Sequence, residues 1–333
     1  MQSGSVTIGF TVRERYSQAA GALRALFENT KEIDYRLIIV DSLTPPRYLR
    51  QIEETVAGRD NVEFLRVNRY LLPNEARNLV VPMCDTDYLV FLENDCYVSP
   101  GWLTLLLDAI KRHNAGVAAP LLFEHAKYHG DDLLGNFNDH EIDGETRLEV
   151  YSLGGKHEEQ TSMIVESVES HLLLFDTDVV RRLDLFDEVL TTHDCLDISL
   201  RLREACVPIV FEPRAHADLV YPPPVEREER EFFRERWSLA ADRRSADRVR
   251  QKWGLKEIVS ARAFARERLH RETHLQLALY TARVRVWRRL RRLFKQYVLG
   301  QSLVERLEYE QRPILETAAA SAAREGVSAG SKS

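Results

Sequence analysis

No stretch of this 333-residue chain approaches the roughly 18–20 successive apolar residues of a membrane-spanning helix. Cysteine is scarce. Cys84, Cys96, Cys195 and Cys206 form no C-x-x-C pair and are too scattered for a disulfide framework, so a reducing cytoplasm is expected. Met1–Gly4 lead directly into Val6–Phe10 without a basic and then apolar leader, and no secretory signal is expected. No G-x-G-x-x-G follows a strand-like run, which disfavours a dinucleotide-dependent oxidoreductase. No repeat period is visible, and no base-reading motif accompanies the basic residues, so no nucleic-acid partner is expected.

What is present is a globular composition, 44% apolar and 29% charged, with room for one large domain and an appendage. Charge is divided unevenly. Residues 1–224 hold 21 Lys and Arg against 37 Asp and Glu, whereas residues 225–312 hold 23 against 13. An acidic body with a basic arm suggests two regions with different partners.

The chain is organised around Thr86–Asp95. Tyr88–Leu92 is an unbroken apolar run, which predicts a strand buried on both faces of a parallel sheet. It ends in Glu93-Asn94-Asp95, two carboxylates that require a partner. A hard divalent cation bridging phosphate oxygens is one such partner, and an ordinary polar turn is the plainer alternative.

Other strands are predicted at Val6–Phe10, Leu37–Val40, Val62–Val67, Val117–Leu122, Leu172–Phe175 and Pro208–Phe211. Between them lie amphipathic helices from Ser17 to Asn29, Arg47 to Val56, Asn74 to Val80, Trp102 to Ile110 and Asp194 to Ala205. This alternation predicts an α/β fold with a doubly wound, mostly parallel sheet. Residues 124–165 read as a long polar insertion. Ligands of such sheets bind at the carboxyl ends of the strands, where Thr11–Arg15, Asp41, Arg77 and the Glu93–Asp95 triplet would converge. Asp41 suits a nucleobase or ribose, or a capped turn; Arg77 suits a phosphate, or a surface ion pair.

In order along the chain, these segments resemble the inverting family 2 glycosyltransferases of GT-A fold. Thr11-Val12-Arg13-Glu14-Arg15 is similar to that family's P-T-Y-N-R loop, and Ile39-Val40-Asp41-Ser42 to its V-D-D strand end. Asn74-Glu75-Ala76-Arg77-Asn78 resembles G-x-A-R-N, and Phe91-Leu92-Glu93-Asn94-Asp95 resembles F-L-D-D-D, followed by Pro100-Gly101-Trp102-Leu103. Phe186-Asp187-Glu188 resembles F-D-E, and His193–Arg201 resembles the E-D-x-D-L-S-L-R helix start.

The resemblance implies a sugar donor held by a nucleotide diphosphate, UDP first, with GDP or dTDP as alternatives, and Mn²⁺ or Mg²⁺ as cofactor. It implies donor contacts from Thr11, Arg13, Glu14, Asp41, Arg77, Glu93 and Asn94, and metal ligation by Asp95 and Glu93. Asp194, or a neighbour one position away, is the implied general base that deprotonates an acceptor hydroxyl of a glycan, lipid or other cell-surface precursor. His193 and Asp197 fall on the acceptor side. The sequence departs from the family in Cys195, which stands where many members have Asp; in Ser42; and in His216, which follows Pro213 closely and suits a structural role or a metal ligand. A catalytically degenerate binding or scaffold module is the alternative. A sugar-1-phosphate nucleotidyltransferase is disfavoured, because Gly9–Arg13 is a poor match to its glycine-rich loop.

The expected domains are a catalytic unit at 1–224, a basic helical extension at 225–316 and a disordered tail at 317–333. Arg283–Lys295 has seven basic residues and no acidic one, with apolar residues along one helical face. Residues 275–300 therefore suit an anionic membrane surface, or docking on the body or a second subunit. A cytoplasmic enzyme, peripheral at the inner membrane face, is the expected setting.

Overall fold

The computed structural model describes residues 5–125, 161–184, 186–220 and 225–255, with 264, 265, 268 and 269. Lys127–His129, Gly154-Gly155, the basic segment 275–300 and the tail 317–333 lie outside the described residues. No helix among those described is long and apolar enough to cross a membrane.

Four parallel strands come first: β1 (Val6–Val12), β2 (Tyr35–Ser42), β3 (Val62–Val67) and β4 (Tyr88–Glu93), with β1 hydrogen-bonded between β2 and β4. Their connections are helices α1 (Tyr16–Asn29), α2 (Pro46–Val56) and α3 (Pro73–Val80). There follow β5 (Cys96–Val98), α4 (Trp102–Arg112), β6 (Val117–His125), β7 (Met163–Val165), β8 (Leu172–Asp176), α5 (Thr177–Leu183), α6 (Asp194–Glu204) and β9 (Ile209–Val220). The nine strands form one mixed sheet in the order β3-β2-β1-β4-β8-β6-β9-β5, with β7 also paired to β9. The long ladders are parallel; β8 runs antiparallel to β4 and β6.

The unbroken apolar runs follow from helices on both faces. On one face Ile8, Phe10, Ile39, Val90, Leu92 and Leu174 pack against α1, α2 and α4. On the other, Ile38, Val40, Leu89, Phe91, Leu173 and Phe175 pack against α3, α5 and α6.

Two departures from the sequence reading matter. The last strand does not stop at Phe211 but continues to Val220, with its register against β6 shifting between Pro120 and Leu121. Polar Glu212, Arg214, His216 and Asp218 hide this continuation; buried Glu212 is held by Arg214 at 2.7 and 2.8 Å. His216 therefore lies within a strand, opposite Leu121 and edge-on to Phe123 at 5.6 Å. The pairing Cys96↔Leu219 sets it well along β9 from the chain neighbour of Asp95, so the structure does not bring His216 to the carboxylate pair.

Beyond β9, α7 (Arg230–Arg236) and α8 (Leu239–Trp253) return to the body. Asp197 of α6, 1% exposed, receives Lys252 Nζ at 2.5 and 2.7 Å and Trp253 Nε1 at 2.7 Å, over an apolar contact of Leu196 and Leu200 with Val249 and Leu255. The segment before α8 crosses the carboxyl ends of β1–β3. Glu229 accepts the Tyr16 amide at 3.1 Å, Tyr48 donates to Glu226 at 2.5 Å, and Glu14 holds Arg236 and, at 3.3 Å, Trp237.

Candidate active site

Register alone gathers the strand ends. Thr11 sits between Val40 and Glu93, and Val12 sits opposite Asp41. Because β8 is antiparallel to β4, its beginning lies at the end of β4, where the Glu93 amide donates to the His171 carbonyl at 3.0 Å. The left-handed backbone of His193 (φ 63°) turns the chain into α6 and starts that helix at Asp194.

Arg77 is the hub. Its guanidinium is buried and bonds Asp194 Oδ2 at 2.6 Å, Asn74 Oδ1 at 2.8 Å, Glu93 Oε1 at 3.2 Å and Ser170 through both carbonyl (3.2 Å) and hydroxyl (3.1 Å). It thus ties the end of β4 to the start of α6. This is a buried network, not the surface ion pair that one arginine ordinarily makes. Ser170 Oγ donates to the same Asp194 oxygen at 3.1 Å, and Oδ1 is the oxygen that Arg77 and Ser170 leave over. Burial alone would raise the Asp194 carboxyl, but Arg77 and Ser170 hold it below its usual range, ionised at neutral pH. Burial, with Glu169 and Asp194 alongside, instead pushes the Cys195 thiol well up. Its position beside the helix start therefore supplies no base.

The carboxylate pair is matched by arginines. Arg13 bonds Glu93, and Arg15 bonds Asp95 through Oδ2. Burial would raise Asp95, yet Arg15, His171 and Arg13 hold it below the usual carboxylate range. Its Oδ1 is buried with no hydrogen-bond partner among the described residues. Asn94 donates to the carbonyls of Glu14 (2.7 Å) and Arg15 (3.2 Å), so its amide fixes the β1–α1 loop. Asp41 Oδ1 accepts the Thr44 amide at 3.1 Å and closes the turn after β2. His193 lies 3.3 Å from Asp242 of α8, and Asp197 serves the same helix, so both side chains are engaged by the C-terminal segment.

Glu169-Ser170-His171 escaped the sequence reading. The triplet looks like loop ahead of an apolar run, and the only signal was three polar residues directly before Leu172–Phe175. His171 Nδ1 is 3.1 Å from Glu169 and Nε2 is 3.9 Å from Glu93. Burial lowers its pKa, but Glu93, Glu169 and Asp95 outweigh that and raise it to about 9. A folded value above the unfolded 6.5 means stabilisation that is whole below pH 6.5 and is lost as pH climbs through about 9. The full rise corresponds to roughly 3 kcal/mol. Thermal melts of the wild type are expected to fall between pH 6.5 and 9 more steeply than those of His171→Gln; parallel curves would remove this role.

Residues 9–168 match the family model described as glycosyl transferase family 2. Polypeptide N-acetylgalactosaminyltransferase 4 of Mus musculus is 27% identical over 143 residues, 40% of this chain and 25% of that protein. Polypeptide N-acetylgalactosaminyltransferase 15 of Mus musculus is 36% identical over 87 residues, 26% of this chain and 14% of that one. The chain thus spans a quarter or less of the curated relatives it matches. Among solved structures, GalNAc-T7 with UDP, GalNAc and Mn²⁺ superposes with TM-score 0.55 at 13% identity, over 84% of this chain and 58% of that one. TarS 1-349 of S. aureus in complex with UDP-GlcNAc superposes with TM-score 0.51 at 13% identity, over 95% and 87%. At such identity these likenesses speak to fold alone. The matched segment and the fold agree: residues 9–168 carry the match to glycosyl transferase family 2, and they lie on a sheet of GT-A type.

Proposed function

We propose that this chain is a metal-dependent inverting glycosyltransferase that moves a sugar from a nucleotide diphosphate, UDP first, to an acceptor hydroxyl. The observation that carries the reading is Arg77, which joins Glu93 on the donor side to Asp194 on the acceptor side within one buried network.

Asp194 is the base in this proposal. It is ionised, and Oδ1, met by the Cys195 thiol at 4.0 Å, is the oxygen that accepts the acceptor proton while Arg77 and Ser170 orient the group through Oδ2. Attack from the face opposite the leaving diphosphate inverts the anomeric carbon. On the nucleotide side, Asp41 stands with Tyr16 and Thr44, whose buried hydroxyls have no hydrogen-bond partner among the described residues. Burial first, then Tyr70, Glu229 and Asp41 around it, push the Tyr16 hydroxyl pKa up. We assign this set to the nucleobase.

The cation fits the donor set. Asp95 Oδ1 is a buried carboxylate oxygen without a hydrogen-bond partner among the described residues, and such oxygen suits Mn²⁺ or Mg²⁺. Among the described residues no three His, Cys, Asp or Glu form an all-protein metal site, in keeping with an ion completed by substrate phosphates. Bound there, the ion would neutralise charge developing on the leaving diphosphate.

Calorimetric titration of UDP with and without Mn²⁺ tests the reading. Wild type is expected to bind UDP more tightly with Mn²⁺, and Asp95→Ala to lose that gain by about tenfold or more. No UDP, GDP or dTDP binding under either condition would refute it. Binding without transfer or slow hydrolysis would instead favour a scaffold module.

A further inference from the structure

Arg15 occupies an unusual position for an arginine. It is the residue before the first turn of α1, with left-handed backbone (φ 52°), and neither a capping side chain nor an acidic residue marks that turn. A left-handed non-glycine residue carries backbone strain, and a cation at a helix N-terminus opposes the helix dipole. Both penalties are offset by the ion pair to Asp95, a carboxylate 4% exposed, and by Asn94 gripping the Arg15 carbonyl at 3.2 Å. The second oxygen of that carboxylate, Oδ1, is buried and has no hydrogen-bond partner among the described residues.

Charge around the site is closely matched. Arg13, Arg15 and Arg77 face Glu93, Asp95 and Asp194. A divalent cation added alone at Asp95 would compete with Arg15 and leave excess positive charge in a buried setting, which is expensive. A diphosphate added alone would meet carboxylates already in place. Added together they compensate each other, and the α1 N-terminus that disfavours a guanidinium favours a phosphate beside it.

We propose that Arg15 is a placeholder for the divalent cation at Asp95. When cation and nucleotide arrive, its guanidinium transfers from carboxylate to diphosphate, so the two ligands bind as a coupled pair. This rests on the nucleotide-sugar reading above and makes Arg15 a positioning residue of that reaction.

The test uses the full chain, with Mn²⁺ binding followed by electron paramagnetic resonance and UDP binding by calorimetry. Each is measured alone and with the other present. In wild type each ligand is expected to tighten the other by the same factor, as linkage requires, of about tenfold or more. Arg15→Gln removes the placeholder: Mn²⁺ alone should bind several-fold tighter than to wild type, and the coupling factor should shrink. Arg15→Lys keeps a cation and should take up Mn²⁺ alone as wild type does, which also serves if the Gln variant proves poorly folded. An unchanged coupling factor and unchanged Mn²⁺ affinity in Arg15→Gln, with UDP–Mn²⁺ still binding, would overturn the placeholder role alone. Wild type that binds no nucleotide at all would remove the underlying reading, and the proposal with it.

Discussion

Asp194→Asn is expected to slow sugar transfer by about 10²–10⁴-fold while UDP–Mn²⁺ binding stays close to wild type. The amide keeps the shape of the carboxyl and can still accept from Arg77 and Ser170, so the start of α6 remains in place. It cannot take a proton. Arg77 retains Glu93, Asn74 and Ser170 as partners and is not left as a bare buried charge. The pH profile separates Asp194 from its neighbours. Its carboxyl is held below the usual range, so protonation of this group should not cut activity on the acid side until pH falls through that lowered value. A Cys195 base would show the opposite, with activity gained only at strongly alkaline pH, since its thiol is pushed well up. Near wild-type transfer by Asp194→Asn would move the base elsewhere, and Glu169, which accepts from the Cys195 thiol at 3.1 Å, would be the next group to replace.

The largest stability effect is expected at Asp197. Truncation to Ala leaves Lys252 and Trp253 Nε1 without their buried acceptor and takes one partner from Arg201, 3.5 Å away. Removing one side of a buried pair costs about 3–5 kcal/mol. Chemical unfolding should show that loss, and limited proteolysis should cut near α8 sooner than in wild type. Asp197→Asn, which preserves an acceptor for Trp253, should lose less. A change of only a few tenths of a kcal/mol in the Ala variant would mean that the apolar contact of Leu196 and Leu200 with Val249 and Leu255 holds α8 by itself. Because α8 also fixes Thr191 through Ser245 (2.9 Å) and Thr192 through Asp242 (3.1 Å), undocking it would loosen the approach to Asp194. Stability and catalysis are therefore linked through one helix.

Asp197 also shows where local reading stops. An acidic residue in the first turn of a helix suggests a favourable interaction with that helix's own N-terminus, and on the acceptor side it suggests substrate. Its partners lie more than fifty residues later, in a segment that Phe232, Trp237 and Lys252-Trp253-Gly254 mark by resemblance as one that packs back on the body, but whose charge-rich composition does not say which residue it meets. Asp41 and Asn94 behave in part as plain turn and loop chemistry would have them, closing local structure with one atom each. Arg77 goes the other way: the plainer expectation was a surface pair, and the fold buries it among four partners.

The amino-acid sequence by itself determined the central strands and the order of the motif-bearing loops. Runs such as Leu37–Val40 and Tyr88–Leu92 have nowhere to lie except between two covering layers, and burial on both faces is written in composition. Only the tertiary structure decided which charges meet. Arg15 with Asp95, Arg77 with Asp194, and His171 beside Glu93 come from distant parts of the chain, joined by strand register and by the reversed direction of β8. Ion pairs leave no periodic trace in sequence, because their energy depends on distance and burial rather than on neighbours along the backbone.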